Sequence, residues 1–177
     1  MLGDVANECR NVLTMIHELL QDALFAAIAA IGFSAISNPP RKSFVYCAII
    51  AAVGHSTRFA LINYFDWHIV GASTVAAIII GILAVFVSPR TGTPAETYLF
   101  PALLPMIPGI YAYKCVGGLV MCLLRNGESA FLHYFYLFAD NGLTCFFIIL
   151  GMVVGATIPT FLMPKISFQA TRNKKLD

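Results

Sequence analysis

Charged residues are scarce in this chain of 177 residues. Lys, Arg, Asp and Glu together make up 11% of the sequence, whereas hydrophobic residues reach 59%. Soluble domains contain about 25% charged and about 45–50% apolar residues. The composition therefore excludes an ordinary soluble protein. The net charge of +2, with no basic cluster, also argues against a nucleic-acid partner.

Metal-ligand spacings and catalytic motifs are missing as well. The five cysteines form no C-x-x-C pair, and four of them lie in apolar stretches, where cysteine acts as a small packing residue. The sequence also lacks H-E-x-x-H and G-x-S-x-G. We therefore expect no metal site, no cofactor and no enzymatic activity.

The N-terminus lacks the pattern of a removable signal peptide. Acidic residues such as Asp4 and Glu8 occur where a secretory signal has a basic start followed by an apolar region. Apolar residues recur across 4–20 at alternating four- and three-residue steps, which is typical of one helical face. The pattern predicts an amphipathic N-terminal helix over 1–18, either interfacial or an extension of the first span.

Long apolar runs dominate the rest of the chain. Five of them are long enough to cross a bilayer, since about 20 residues span the hydrocarbon. Turn signals rich in Pro, Gly and Asn separate them. The sequence therefore predicts an all-α integral membrane protein with a transmembrane domain over 19–164. The five predicted transmembrane helices cover about 19–37, 43–63, 67–87, 98–124 and 142–163.

The distribution of Lys and Arg predicts the orientation. With five crossings and the N-terminus outside, basic residues concentrate on the cytoplasmic side, including the tail 165–177. If the fourth segment re-entered instead of crossing, that basic tail would lie outside, which fits the rule poorly. The cytoplasmic side would hold Arg41, Lys42, Arg90, Lys165, Arg172, Lys174 and Lys175, and the outer side Arg10 and Arg125.

The fourth span contains residues that disfavour a continuous helix surrounded by lipid. Pro101, Pro105, Pro108 and Gly109 all lie in its first half. Each interior proline removes a backbone donor and clashes with the carbonyl four residues earlier, and lipid offers no replacement hydrogen bond. Broken helices of this kind form substrate sites in several transporter folds. The segment therefore predicts a fourth helix broken by Pro and Gly, and it points to transport.

Polar residues interrupt the second span at 54–58. His55 and Arg58 are three residues apart and share a helical face. An intramembrane arginine costs about 2.5–3.5 kcal/mol on insertion scales, so by default it faces a cavity or a partner. We expect Arg58 to bind a substrate carboxylate, with His55 as a hydrogen-bond donor or proton acceptor. The alternative is that Arg58 snorkels to the outer surface.

Asp22 and Lys114 are further candidates. Asp22 lies near the outer end of the first span, where it either joins two helices in an ion pair or is protonated and released during transport. Lys114 follows the proline break, and it is either a substrate cation or proton carrier, or the partner of a carboxylate on another chain. Tyr111 can donate a hydroxyl group nearby.

Gly151 and Gly155 form a G-x-x-x-G motif in the fifth span. Small residues at this spacing allow another helix to approach closely. The motif predicts helix packing.

Four pieces of sequence carry a resemblance to a known family. They are Gln21-Asp22 opening an Ala-rich span, Asn38-Pro39-Pro40-Arg41, Gly54-His55 with Arg58, and Pro105-x-x-Pro108-Gly109-Ile110-x-Ala112-Tyr113. In this order and spacing they resemble the threonine/serine exporter family, over about 20–164. The chain is similar to the second half of that family, the smaller protein of its split two-gene type.

The resemblance implies a function and partners. It implies a larger membrane subunit, use of the proton gradient and a bacterial inner-membrane location. The implied cargo is a small carboxylate-bearing metabolite, either a hydroxy-amino acid or a dicarboxylate such as succinate. Because five crossings are an odd number, a partner half with its N-terminus inside would complete an inverted repeat. A homo-oligomer is left open, and so is a second function, that of a structural subunit supporting a partner that holds the transport site.

Overall fold

The computed structural model describes residues 2–36, 39–125 and 127–164, and all regular structure in these ranges is helical. The predicted all-α class is thus confirmed for this part of the chain. The basic tail 165–177 lies outside it. The helices are α1 (Leu2–Ile36), α2 (Arg41–Phe65), α3 (Ile69–Thr91), α4 (Glu96–Leu103), a 3₁₀ turn (Leu104–Met106), α5 (Gly109–Leu124) and α6 (Glu128–Leu162).

Four helices are long and apolar enough to cross a membrane, namely Val12–Ile36 of α1, α2, α3 and α6. Glu96–Met106 and α5 pass the same test together as a bent pair. The described residues therefore provide four spans, or five if the bent pair counts as one. The N-terminal segment continues into the first span, because α1 runs without a break from Leu2 to Ile36.

A short turn between α2 and α3 reverses the chain. Asp66 ends α2 in the left-handed region, at φ 52°, and the Trp67 N–H bonds the Leu61 carbonyl at 3.1 Å. The His68 ring then accepts the N–H of Val70, which caps the start of α3. Gly92 ends α3 at φ 65°, where glycine carries no steric penalty. α2 and α3 therefore lie antiparallel.

Helix α3 is the centre of the bundle and packs against α2, α4 and α6. A Cβ at Gly81 would lie 2.8 Å from the Ala156 carbonyl oxygen and 2.9 Å from Pro159. Gly151 of α6 lies beside Thr74, so α6 runs parallel to α3. Because lipid supplies no hydrophobic drive for helix association, such close contacts stabilise the bundle.

Polar side chains hold the start of α4 at the end of the bundle where α2 begins and α3 ends. The Tyr98 side chain is fully buried, and its hydroxyl lies 2.6 Å from Thr91 Oγ1 and 3.2 Å from Ser43 Oγ. Thr93 Oγ1 lies 2.5 Å from the same hydroxyl. Ser88 Oγ donates to the Thr93 carbonyl at 2.6 Å. We call these five residues the Tyr98 cluster.

Helix α5 and the first part of α6 form an antiparallel hairpin. Gly118 packs against the backbone of Tyr134 and Phe138, and Gly142 packs against the Cys115 thiol. Within the described ranges, α6 is the only element against which α5 packs extensively. The second part of α6 packs on α3 instead. We call the hairpin, α5 with residues 128–147 of α6, the arm, and the remaining helices the body.

Candidate functional site

The chain changes direction between α4 and α5. The axes of Glu96–Met106 and α5 differ by 51°. Pro108 has φ −78° and ψ 61°, and the Gly109 N–H bonds the Ile107 carbonyl at 2.8 Å, which is an inverse γ-turn. The interruption is therefore a defined turn with its own hydrogen bond.

Other parts of the chain satisfy the carbonyl groups that this interruption frees. Arg58 Nη1 of α2 donates to the Met106 carbonyl at 3.1 Å. The Pro108 carbonyl accepts the N–H groups of Tyr111 and Ala112, with the Cys145 thiol 4.0 Å away. Irregular backbone in a membrane protein requires such partners, because lipid provides none.

A side chain of α2 also bonds the carbonyl group that the first proline of α4 leaves without a helical N–H. Pro101 cannot donate to the Thr97 carbonyl four residues earlier. The Cys47 thiol of α2 donates to that carbonyl at 3.6 Å, and Ser34 of α1 donates to the Cys47 sulfur at 3.5 Å. α4 is thus bonded to α2 near both of its ends.

A cavity of about 240 Å³ lies beside the turn. The structure brings four of the sequence-predicted residues to its wall, namely Arg58, Pro108, Gly109 and Tyr111. Apart from Arg58 and the Tyr111 hydroxyl, the wall consists of apolar side chains and glycine. An arginine has five N–H donors, and among the described residues only one donor of Arg58 is bonded, to the Met106 carbonyl. The other lining residues are Ile69, Pro105, Ile107, Ile110 and Ile148.

Two features make this cavity suitable for an anion. The first turn of α5, a helix of 16 residues, lines it, and the helix dipole places a positive potential at the N-terminus. Arg58 adds a full positive charge from α2. In apolar surroundings both effects are stronger than in water.

His55 and Asp22 lie next to this cavity without lining it. His55 Nδ1 is 3.2 Å from Asp22 Oδ2, within hydrogen-bonding distance. The His55 side chain is 7% exposed and that of Asp22 is 34% exposed. The pair joins α1 to α2. His55 Nε2 is buried and has no hydrogen-bond partner among the described residues.

Lys114 lies apart from the other predicted residues. It is exposed on α5, does not line the cavity, and forms no ion pair with any residue that the structure describes. Tyr111 and Cys115 lie on the neighbouring faces of α5, toward the cavity and α6 respectively. Lys114 therefore does not share the cavity with Arg58.

Gly151 and Gly155 lie at the contact between α6 and α3. A Cβ at Gly155 would lie 2.7 Å from the Thr74 carbonyl oxygen, and one at Gly151 would overlap the Thr74 side chain. Both glycines therefore allow the close approach of the two helices.

Sequence reasoning missed several residues that shape the site. Ile69, Ile148 and Cys145 reach the cavity or the turn from α3 and α6. Nothing in the sequence marks them, since they are apolar or small residues in ordinary membrane-helix spacing. The Tyr98 cluster was missed for a similar reason, because isolated Ser and Thr residues are common in such helices.

Comparisons with known proteins show the family to which the chain belongs. The sequence profile described as "Threonine/Serine exporter, ThrE" matches residues 22–162. A protein of Haemophilus influenzae described as uncharacterized is 44% identical over 103 residues, which are 58% of this chain and 34% of that protein. The chain thus spans about a third of that relative. No solved structure matches. With its long apolar helices, the chain is a multi-pass membrane protein that belongs to the threonine/serine exporter family.

Proposed function

We propose that this protein is a subunit of a secondary exporter of small carboxylate-bearing metabolites, such as threonine, serine or a dicarboxylate like succinate. The observation that carries the proposal is the position of Arg58, a cation on an apolar cavity beside an interrupted helix. Transporters place substrate sites at such interruptions. The family to which the chain belongs is named for export.

In this proposal Arg58 holds the carboxylate of the cargo. Its planar guanidinium can donate two parallel N–H bonds to a carboxylate. The bond to Met106 fixes the side chain beside the cavity before cargo arrives. Gly109 and the Tyr111 hydroxyl supply further polar contacts, and the isoleucines exclude water from the ion pair.

The His55–Asp22 pair couples cargo to protons. Asp22 contacts His55, and His55 lies one helical turn from Arg58 on the same face of α2, so the charge of Asp22 acts near Arg58. A proton on Asp22 removes a negative charge near Arg58, and a proton on His55 adds a positive one. Both changes favour a bound carboxylate, so we expect cargo and protons to bind together. Export of this kind is driven by the outward gradient of the cargo, and the inward proton gradient that the resemblance implies would oppose it.

The complete exporter contains a second membrane half, supplied by a larger subunit. This chain covers 34% of its Haemophilus influenzae relative, which leaves room for further domains in that protein. We propose that Glu96–Met106 and α5 form one broken span, which gives five crossings. A partner half of opposite orientation would then complete an inverted repeat with cargo at the interface.

We place the complex in the bacterial inner membrane with the N-terminus outside. Arg41 and Lys42 start α2, and Arg90 lies in the last turn of α3, so all three are at the same end of the bundle. An excess of Lys and Arg marks the cytoplasmic side.

Export assays in cells that carry both genes test the proposal. Arg58→Ala removes the cation and should abolish most export, whereas Lys114→Ala should retain it because Lys114 lies away from the cavity. Arg90→Ala is a matched control, since it removes an exposed arginine at the opposite end of the bundle. Full export by Arg58→Ala, at equal membrane insertion, would contradict the site.

A structural subunit is the second candidate, and the bond between Arg58 and the Met106 carbonyl favours it. That bond alone gives the arginine a role in holding α2 against the end of the 3₁₀ turn. The partner subunit reconstituted alone in liposomes distinguishes the candidates. Full transport without this chain would support the structural role.

A further inference from the structure

The arm presents a large apolar surface that no described element of this chain covers. Tyr113 and Leu123 of α5 are each 80% exposed, and Val116 is 60% exposed. On α6, Phe135 and Leu143 are 49% and 59% exposed. Part of such a surface can face lipid, but its position and its charges indicate a protein partner.

The arm projects beyond the body. Ile148 of α6 shares the cavity wall with Ile69, the first residue of α3. The part of α6 ahead of Ile148 is about 30 Å long, at about 1.5 Å per residue. It therefore extends past the α2–α3 turn, and its only extensive packing in the described chain is against α5.

Two opposite charges lie on the shaft of the arm, Lys114 on α5 and Asp140 on α6, and both residues are exposed. Cys115 contacts Gly142, and Gly118 contacts Phe138, so Lys114 and Asp140 lie within about one helical turn of each other in height. They form no ion pair with each other. Each is thus a single charge on a largely apolar surface, where an opposite charge is the favoured neighbour.

We propose that a second copy of this chain covers the arm, with Lys114 of each copy paired to Asp140 of the other. Two copies insert in the same orientation, so a two-fold axis along the membrane normal keeps equal heights together. Such an interface brings the same surface of both copies together. Because Lys114 and Asp140 lie at about the same height, two Lys114–Asp140 pairs can form across it. The proposal does not depend on the cargo or on the site at Arg58.

Complementation between two defective variants tests this arrangement. Two differently tagged full-length copies are co-expressed and extracted in mild detergent, and the fraction that co-purifies is measured. Lys114→Glu in both copies, or Asp140→Lys in both, places like charges together and should lower co-purification by about tenfold or more. One Lys114→Glu copy with one Asp140→Lys copy should restore it, because the introduced glutamate faces the introduced lysine and the two native residues face each other.

Only pairing between copies predicts this rescue. A salt bridge within one arm, or a different partner chain, leaves the mixed pair as defective as the matched pairs. Arg90→Glu in both copies, a charge reversal on an exposed residue of the body, should leave co-purification unchanged. The proposal is overturned if wild-type copies do not co-purify, or if the mixed pair recovers no more than either matched pair.

Discussion

The two ends of the helical body bury polar side chains in different ways. In the Tyr98 cluster, hydroxyl groups from α2, α3 and the α3–α4 turn bond one another, and the tyrosine is fully buried. Near the α2–α3 turn, some donors of Arg58 and the Nε2 atom of His55 have no hydrogen-bond partner within the described ranges, and a cavity lies alongside. Closed hydrogen bonding fixes a structure, whereas unused donors beside a cavity make a ligand possible. We therefore expect the first end to stabilise the fold and the second end to bind a ligand.

The largest effect should come from Arg58→Ala. Hydrogen bonds to a charged group contribute about 1.5–3 kcal/mol, which corresponds to about ten- to a hundredfold in cargo affinity. Uptake into inside-out vesicles, which corresponds to export from cells, measures it as a function of cargo concentration. Arg58→Lys is the matched variant, and we expect it to recover only part of the activity because lysine lacks the planar fork. Equal activity of the wild type, Arg58→Ala and Arg58→Lys would show that Arg58 does not bind the cargo.

The next largest effect should be a loss of stability when a larger side chain is introduced at the glycine contact between α3 and α6. Gly155→Leu places a side chain against the Thr74 carbonyl, and overpacking of this kind costs about 1–3 kcal/mol. Thermal unfolding in detergent measures the change. Gly32→Ala is the control, because a Cβ at Gly32 would meet nothing within 4 Å. If both variants unfold at the wild-type temperature, the contact does not stabilise the bundle.

Tyr98→Phe should distinguish the two ends of the body, because it should lower stability and leave cargo binding intact. The change removes the hydroxyl that Ser43, Thr91 and Thr93 contact. Leaving buried polar groups unpaired costs about 1–3 kcal/mol, part of which the remaining hydroxyls recover by bonding each other. We expect a lower unfolding temperature with unchanged export per inserted molecule. Reduced export at normal stability would show that the cluster has a transport role.

The smallest effect should be the pH dependence of cargo affinity. Protonation of His55 or Asp22 makes the surroundings of Arg58 more positive, so affinity should rise as the pH falls. His55→Gln and Asp22→Asn should each flatten this dependence, which cargo binding at several pH values measures. Affinity that rises with pH would instead indicate that protons and cargo compete.

The sequence placed α2 and α3 closely because their signals are local, whereas α6 begins at Glu128, well before the predicted start at 142. Apolar runs and the turn residues between them determine where α2 and α3 begin and end, within a few residues of the structure. Prolines similarly showed which carbonyls, such as that of Thr97, would lack a helical N–H. Which side chain supplies the replacement depends on the fold, and the Cys47 thiol could not be inferred from the sequence.

The candidate site was only partly predictable for the same reason. Arg58, Pro108 and Gly109 stood out because a charge and a helix breaker are unusual in apolar spans. Lys114 stood out equally, but it lies exposed on α5 and does not line the cavity, which depends on how α5 is seated in the fold. Ile148 reaches the wall only because α6 packs parallel to α3, and no local pattern indicates this.

Cargo-dependent thermal stabilisation tests the central claim most directly. The proposed complex of this chain with a larger subunit is heated with and without threonine, serine or succinate. The corresponding methyl esters, which lack the carboxylate, are tested in parallel. If Arg58 holds a carboxylate, a free acid should raise the unfolding temperature of the wild type, its ester should not, and Arg58→Gln should show no shift with either. Equal stabilisation of wild type and Arg58→Gln by the same acid would contradict the account.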